Sequence, residues 1–340
     1  MAKPSRRITL NDVARLSGVS YQTVSRVINS HPYVAQETRE RVLAAIKKLD
    51  YHPNRAAKSL VTRRSHTIAI IAFGMAYYGP LQMLLNIESA AKAAGYDLIF
   101  STVSEMSVQS FRDAIERLAG WHVDGIVAIT PVCGCNTDEL YVACGSTPLV
   151  LIDTCLGQHV PSVVIDQGYG SHLITRHVIE LGHTAIAELS GPLNWYGAEA
   201  RHSAWLQTIQ EAGLTPGPSI AGDWSARSGY EGALALLKMG VRFSALVVGN
   251  DQMALGAVQA LRERGLRVPE DVSVTGYDNL PEAAYFNPPL TTIWQDFSIV
   301  GQRSVEMLID RIADPAAPAE QRVIYPRLII RESTVPFQGW

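Results

Sequence analysis

Residues 9–29, TLNDVARLSGVSYQTVSRVIN, place an apolar stripe and a hydrogen-bonding stripe on two short helices joined by a glycine turn. Thr9 stands where a helix cap belongs, Leu10, Val13 and Ala14 recur at i, i+3 and i+4, and Gly18 supplies backbone freedom for the turn. Ser20 is positioned to cap a second helix. There Val24, Val27 and Ile28 face inward, while Tyr21, Gln22, Ser25, Arg26 and Asn29 recur on the opposite side. That outer side carries base-reading chemistry. Glutamine bonds bidentately to adenine, arginine to guanine, and the N-terminal residues of a recognition helix are those that reach base edges in the major groove. Cap, turn and spacing together predict a helix-turn-helix that enters DNA rather than a hairpin of helices with a solvated outer face.

Charge is divided to match. The 340-residue chain has a net charge of −3, yet residues 1–64 hold 13 Lys and Arg against 4 Asp and Glu, leaving 16 against 28 in the remainder. A basic head lowers the cost of approaching phosphates, and an acidic body stays off the duplex. Length predicts two or three compact units, and 47% apolar residues suffice for buried cores. The first residues, MAKPSRRITLND, lack the apolar core of a secretory signal, and no later run approaches the ~20 apolar residues of a membrane span. A cytoplasmic protein is expected. Cys133, Cys135, Cys144 and Cys155 are expected to be structural thiols, because the CxC pair lacks the spacing of zinc or redox sites and no His lies near it.

Gln36 to Leu49 forms a third amphipathic helix, with Val42, Leu43, Ile46 and Leu49 on one side, and completes a small module. After the turn at Tyr51-His52-Pro53-Asn54, residues 55–64 (RAAKSLVTRR) are basic, helix-compatible and too short to be stable alone. They read either as a helix that orders on DNA or as a flexible linker. From Ser65 onward, β-type apolar runs at 68–73, 96–103, 125–130 and 149–153 alternate with helical ones at 81–94 and 108–118. A second series has helices at 169–181, 198–212, 229–239 and 251–264, with strands at 185–190, 219–221, 245–249 and 272–276. Continuous apolar strands with crossover helices imply two doubly wound parallel sheets, each a lobe of an α/β body. Ligands of such sheets bind beyond the carboxyl ends of the strands, so two facing lobes create one shared cleft.

Asp153, Asn250-Asp251 and Asp278-Asn279 follow strands there, with Trp195, Tyr196, Trp224, Trp294 and Phe297 nearby. Carboxylates and amides accept hydroxyl protons, rings pack on the apolar face of a pyranose, and Arg201 could fork two hydroxyls. Taken singly, Asp and Asn after a strand are also ordinary helix caps, Asp251 especially.

The motifs LNDVARLSGVSYQTVSRVIN, YHPNRAAKSL, AGDWSA, NDQMALGA, VPEDVSVTGYDN and PPLTTIWQDF together resemble the lactose-repressor family of bacterial transcription factors over nearly the whole chain. The resemblance implies a helix-turn-helix DNA-binding domain at 1–51, a hinge segment at 52–64 and a periplasmic-binding-protein-like body at 65–340. The body divides into lobe 1 (about 66–165 and 295–324) and lobe 2 (about 166–293 and 325–336). It implies that Tyr21, Gln22 and Arg26 read bases of a palindromic operator, with Ser25 and Asn29 on the same face. Asn54, Arg55, Ala57 and Lys58 belong to the hinge contact, and Leu60 wedges into the minor groove. Asp153, Arg201, Trp224, Asn250, Asp278, Gln295 and Phe297 are implied to line the effector cleft. Neither cofactor nor metal is implied. Two departures bear on the effector: Glu199 replaces an arginine of the family's namesake, and residues 73–79, FGMAYYG, are bulkier and more aromatic. No leucine heptad follows the body, so a homodimer is expected.

The expected mechanism is a two-state switch in which an effector, on aromatic content and the Arg201–Asp278 pair a galactoside-like sugar, releases the operator. The alternatives are a corepressor-dependent regulator of the same family and a sugar receptor that ignores DNA. An enzyme finds little support, because GxGxxG after the first strand, GxxxxGK[ST], GxSxG and metal-type His spacing are all absent from the sequence.

Overall fold

The structure, a computed structural model, describes residues 8–28, 32–51, 64–105, 107–132 and 136–339. The chain divides into two units, 1–65 and 66–340.

In the first unit, α1 (Leu10–Ser17) and α2 (Tyr21–Ile28) are joined through Gly18 at φ 68°, and α3 (Gln36–Leu49) packs against both. Thr9 is the N-cap of α1, as expected, paired with Asp12 at the third helical position: its backbone N–H and its hydroxyl both donate to the Asp12 carboxylate, at 3.0 and 2.7 Å. Ser20 Oγ accepts from the Thr23 N–H at 3.2 Å, as expected of the second cap. Val13, Ala14, Val24, Val27, Val42, Ala45 and Tyr51 form the core. Leu43 departs from expectation and is exposed, because the buried stripe of α3 runs through Val42 and Ala45.

The second unit holds two parallel sheets. The first has the order β11-β5-β4-β3-β1-β2, from β1 (Thr67–Phe73), β2 (Asp97–Val103), β3 (Gly125–Ile129), β4 (Leu149–Ile152), β5 (Ser162–Ile165) and β11 (Gln321–Ile324). On one face α4 (Tyr78–Ala93) and α11 (Phe297–Ala313) bury Met83, Ile87, Val300 and Leu308 against Ile68, Ile70, Val127 and Val150. On the other, α5 (Val108–Leu118) and α6 (Thr137–Cys144) bury Phe111, Ala114, Leu140 and Cys144 against Ala69, Ile71, Ala128 and Leu151. Successive side chains thus go to opposite faces, and the sheet reads as an unbroken apolar run because both are covered.

The second sheet has the order β7-β6-β8-β9, from β6 (Ile186–Ser190), β7 (Ser219–Ala221), β8 (Ala245–Val248) and β9 (Ser273–Thr275). Helices α7 (Gln167–Glu180) and α8 (Tyr196–Glu211) cover the face of Ala245 and Val247, and α9 (Ala226–Lys238) with α10 (Asp251–Glu263) covers that of Leu246 and Val248. The antiparallel pair β10 (Thr292–Trp294) and β12 (Arg327–Ile329) extends this lobe through bridges Thr275–Thr291 and Asp278–Trp294. The chain therefore passes between the lobes three times, from β5 to α7, from β10 to α11 and from β11 to β12.

Candidate functional site

Two sites can be built, one in each unit. On α2, Tyr21, Gln22 and Arg26 are exposed and Ser25 is half-buried, while Val24 and Val27 anchor the opposite face in the core. The side chains expected to read bases thus share one accessible face of a helix held by its apolar stripe. Asn29 and the hinge residues Asn54, Arg55, Ala57, Lys58 and Leu60 lie outside the described residues, as do Cys133 and Cys135.

In the body, all seven side chains expected around an effector converge on one cleft at the carboxyl ends of both sheets. Asp153 follows β4, Phe297 opens α11, Gln295 lies on the second passage between lobes, and Arg201 sits in the second turn of α8. Trp224 precedes α9, Asn250 caps α10, and Asp278 follows β9. Asp153, Trp224 and Asp278 have φ of 58°, 73° and 105°, a left-handed conformation costly for side-chain-bearing residues. Strain of this kind persists where surrounding structure enforces it and gathers at functional sites.

Arg201 organises the floor. Its Nε donates to Gln167 Oε1 at 3.0 Å and its Nη1 to the Gly249 carbonyl at 2.5 Å, and the guanidinium lies 3.6 Å above the Tyr277 ring. Nη2 stands 3.7 Å from Asp278 Oδ1, beyond a hydrogen bond, so this arm of the fork is the one left for a ligand among the described residues. Asp278 Oδ1 also accepts from Gln295 Nε2 at 2.6 Å. Burial pushes the Asp153 and Asp278 carboxyls up to about 6, against the pull of Arg201. Burial, aided by the charge of Asp278, pushes Asp251 up to about 8.

Asp251 itself is a correction. Asn250, not Asp251, caps α10, its Oδ1 accepting from the Met253 N–H at 2.9 Å while its Nδ2 donates to the Trp224 carbonyl. Asp251 is instead buried, accepting from Thr292 Oγ1 at 2.6 Å and the Leu280 N–H at 2.7 Å, and so ties α10 to the strand that leads out of the lobe. Trp294 and Tyr196 likewise leave the cleft. The Trp294 ring holds the Arg327 guanidinium at 4.4 Å, and Tyr196 Oη accepts from the Leu156 N–H. Asn279 turns to Arg331.

Sequence reasoning missed Gln167, Pro80, Met83 and Gln252 on the cleft wall. Tyr77 and Tyr78 were visible only as the aromatic departure at 73–79. Tyr77 and Phe73 pack on Trp195 at 4.9 and 5.5 Å, Trp195 on Trp224 at 6.1 Å, and Tyr78 on Phe297 at 6.0 Å. The Trp224 indole N–H is buried with no acceptor among the described residues. These side chains leave about 50 Å³ free in the cleft, well below the ~300 Å³ at which ligand pockets begin. A ligand of sugar size needs the lobes to part or the side chains to turn.

A larger hollow of about 520 Å³ lies elsewhere on the second lobe, between Phe243, Leu266 and Phe337. Its chemistry is inward-looking: His183 spends both ring nitrogens on Ser244 Oγ and the Val335 carbonyl, and Asp271 spends its carboxylate on Arg267. Among the described residues no His, Cys, Asp and Glu cluster could hold a metal, and no helix is long and apolar enough to cross a membrane. Cys144 is buried, which pushes its thiol up to about 12, and Cys155 is half-buried.

A helix-turn-helix head followed by a two-lobed body with a polar, aromatic-walled cleft defines a DNA-binding regulator with a ligand-binding domain. Residues 9–54 match the model of bacterial regulatory proteins of the lacI family, and residues 175–334 match that of the periplasmic binding protein-like domain. The chain is 36% identical over 327 residues to the lactose operon repressor of Escherichia coli K12, covering 96% of this chain and 90% of the relative. It is also 36% identical over 332 residues to the transcriptional repressor PurR of Haemophilus influenzae, covering 96% and 98%. The solved lac repressor dimer bound to operator and the anti-inducer ONPF superposes with a TM-score of 0.91 at 35% identity, covering 97% of this chain and 100% of that one. The chain belongs to the lacI family of bacterial regulatory proteins. These relatives are repressors rather than enzymes.

Proposed function

We propose that this chain is a cytoplasmic, homodimeric repressor released from a palindromic operator by a neutral, galactoside-like sugar held between the lobes. The observation that carries the sugar is the pairing of the half-buried Arg201 with the buried Asp278 at 3.7 Å, in a cleft walled by the rings of Trp224 and Phe297. A guanidinium arm and a carboxylate so placed donate to and accept from neighbouring hydroxyls, and the rings cover the apolar face of a pyranose. Two carboxylates, Asp153 and Asp278, face one cation, which disfavours an anionic ligand such as a sugar phosphate. In this reading Tyr21, Gln22, Ser25, Arg26 and Asn29 contact the major groove. The hinge at 52–64 orders in the minor groove only while the paired bodies hold both copies close, with Leu60 as the wedge.

A second reading, a corepressor that strengthens operator binding, draws support from the wall of Tyr77, Tyr78 and Trp195, which suits a planar base, and from equal identity to PurR. A thermal-shift screen of neutral sugars against nucleobases separates the two. A ligand at 100 times its dissociation constant adds about 2.7 kcal/mol to the native state. Stabilisation by sugars alone is expected; stabilisation by nucleobases alone refutes the sugar.

A further inference from the structure

The geometry points to Gln167 as a positioning residue that latches two of the three passages between the lobes and is released when a ligand takes Arg201 and Asp278. The inference rests on the ligand reading of the cleft given above.

Gln167 is the first residue of α7, just past the passage from β5, and Gln295 lies just past β10 on the return passage. The two are 128 residues apart, almost fully buried, and joined by Gln167 Nε2 donating to Gln295 Oε1 at 2.9 Å. Each amide has its other end tied to a charge. Arg201 Nε donates to Gln167 Oε1, and Gln295 Nε2 donates to Asp278 Oδ1. With Arg201 Nη2 facing Asp278, the four side chains form a ring. Its polarity is fixed: the cation can only donate and the carboxylate can only accept, so both amides have one allowed orientation. The Tyr277 phenol donates to the Gln167 carbonyl at 3.2 Å and pins the same point from below.

The consequence is a coupling between occupancy and lobe geometry. A ligand whose hydroxyls engage Arg201 Nη2 and the Asp278 carboxylate pulls both charged groups toward itself and so stretches the bonds from Arg201 Nε to Gln167 and from Gln295 to Asp278 Oδ1, and buried amides left poorly paired are costly. The passages then separate at less cost than before, which changes how one lobe sits on the other. The titratable and charged groups around the ring are Asp153 after β4, Asp166 before α7, Arg201 on α8, Asp251 on α10, and Tyr277 and Asp278 after β9.

The test is hydrogen exchange on the intact protein without ligand, in the native chain and in Gln167→Leu and Gln167→Glu. Protection is read at the Phe297 and Ile299 amides, bonded to Gln295 O and Asp296 Oδ1, and at the β6 and β8 amides as controls. Gln167→Leu is expected to lower protection at Phe297 and Ile299 by about tenfold, as loss of one buried hydrogen bond to a charged network does, with the controls unmoved. Unchanged protection at those amides, or an equal loss throughout the second sheet, overturns the latch. Gln167→Glu turns the donor into an acceptor, so the Gln295 amide must flip and its oxygen then faces Asp278. The ring closes only with an added proton. Protection at Phe297, taken relative to the native chain at the same pH so that the native titration of Asp278 cancels, is therefore expected to be near native at pH 5 and about tenfold lower at pH 8; a Gln167→Glu to native ratio that does not change with pH overturns the proposal. Lactose is then added with operator duplex to the native chain. Failure to weaken that complex removes the sugar reading and leaves the exchange result to judge the latch by itself.

Discussion

At the scale of single residues, side chains that line the cleft differ from those that hold the frame. Asp278 lines it. Asp278→Asn removes a buried charge beside Arg201 and is expected to leave operator binding intact while blunting any sugar response, measured by titrating the operator complex with sugar. It also changes the pH dependence of stability in a fixed direction. The folded carboxyl is raised to about 6 from 3.8, so the folded state holds the extra proton and stability falls as pH climbs through that interval. The variant lacks this loss. Its melting temperature relative to the native chain should therefore rise between pH 4 and pH 7, and a constant difference contradicts the burial argument. On α2, Arg26→Ala is expected to cost ~1 to 3 kcal/mol at one base position, read as unequal losses across operator variants; equal losses make Arg26 a phosphate contact. Residue roles were legible where spacing decides them. They were not where two neighbours exchange tasks: Asn250 and Asp251 both suit a cap, and only burial of Asp251 against Thr292 and Leu280 separates them.

Elements were read well where strands and helices alternate regularly, up to the helix at 251–264. The helix expected at 108–118 is α5, and the strands expected at 219–221 and 245–249 are β7 and β8, the latter one residue shorter. The strands β5, β10, β11 and β12, of three or four residues, escaped, although β7 and β8 are no longer; β7 and β8 stand between helical runs of a regular alternation, whereas β10, β11 and β12 lie where the chain passes between lobes and the alternation breaks. With them went the residues at their ends. Gln167 follows β5, and the rule that directs attention to strand ends could not reach it until that strand was known. Two helices were also missed, the short α6 between β3 and β4 and the 17-residue α11 that returns the chain to the first lobe. Packing of α9 on α10 shows what sequence patterns omit altogether. An added Cβ at Gly256 would meet the Ala226 carbonyl at 1.8 Å, and one at Gly229 the Met253 carbonyl at 2.0 Å, so backbone touches backbone. Gly256→Ala is expected to destabilise the body by about 1–3 kcal/mol through overpacking. Denaturant unfolding checks this; an unchanged midpoint shows that the helices can slide apart freely.

At the scale of the molecule, the division into a basic head and an acidic two-lobed body was visible in charge and in alternating runs, because both are statistical properties of long segments. The three passages between lobes were not. They are set by topology, and the seven cleft residues meet only because β4, β9 and the α11 start converge there. The cleft leaves about 50 Å³ free, and in the proposed switch a ligand shifts the balance between lobe arrangements by its differential affinity for them, typically ~1 to 3 kcal/mol of coupling. The most direct measurement is the dissociation constant of the intact protein for its operator duplex, at fixed salt, with and without saturating lactose or a related neutral sugar. The account predicts roughly 5- to 150-fold weaker operator binding with the sugar. Operator binding that is unchanged by every neutral sugar, or tightened by one, contradicts it.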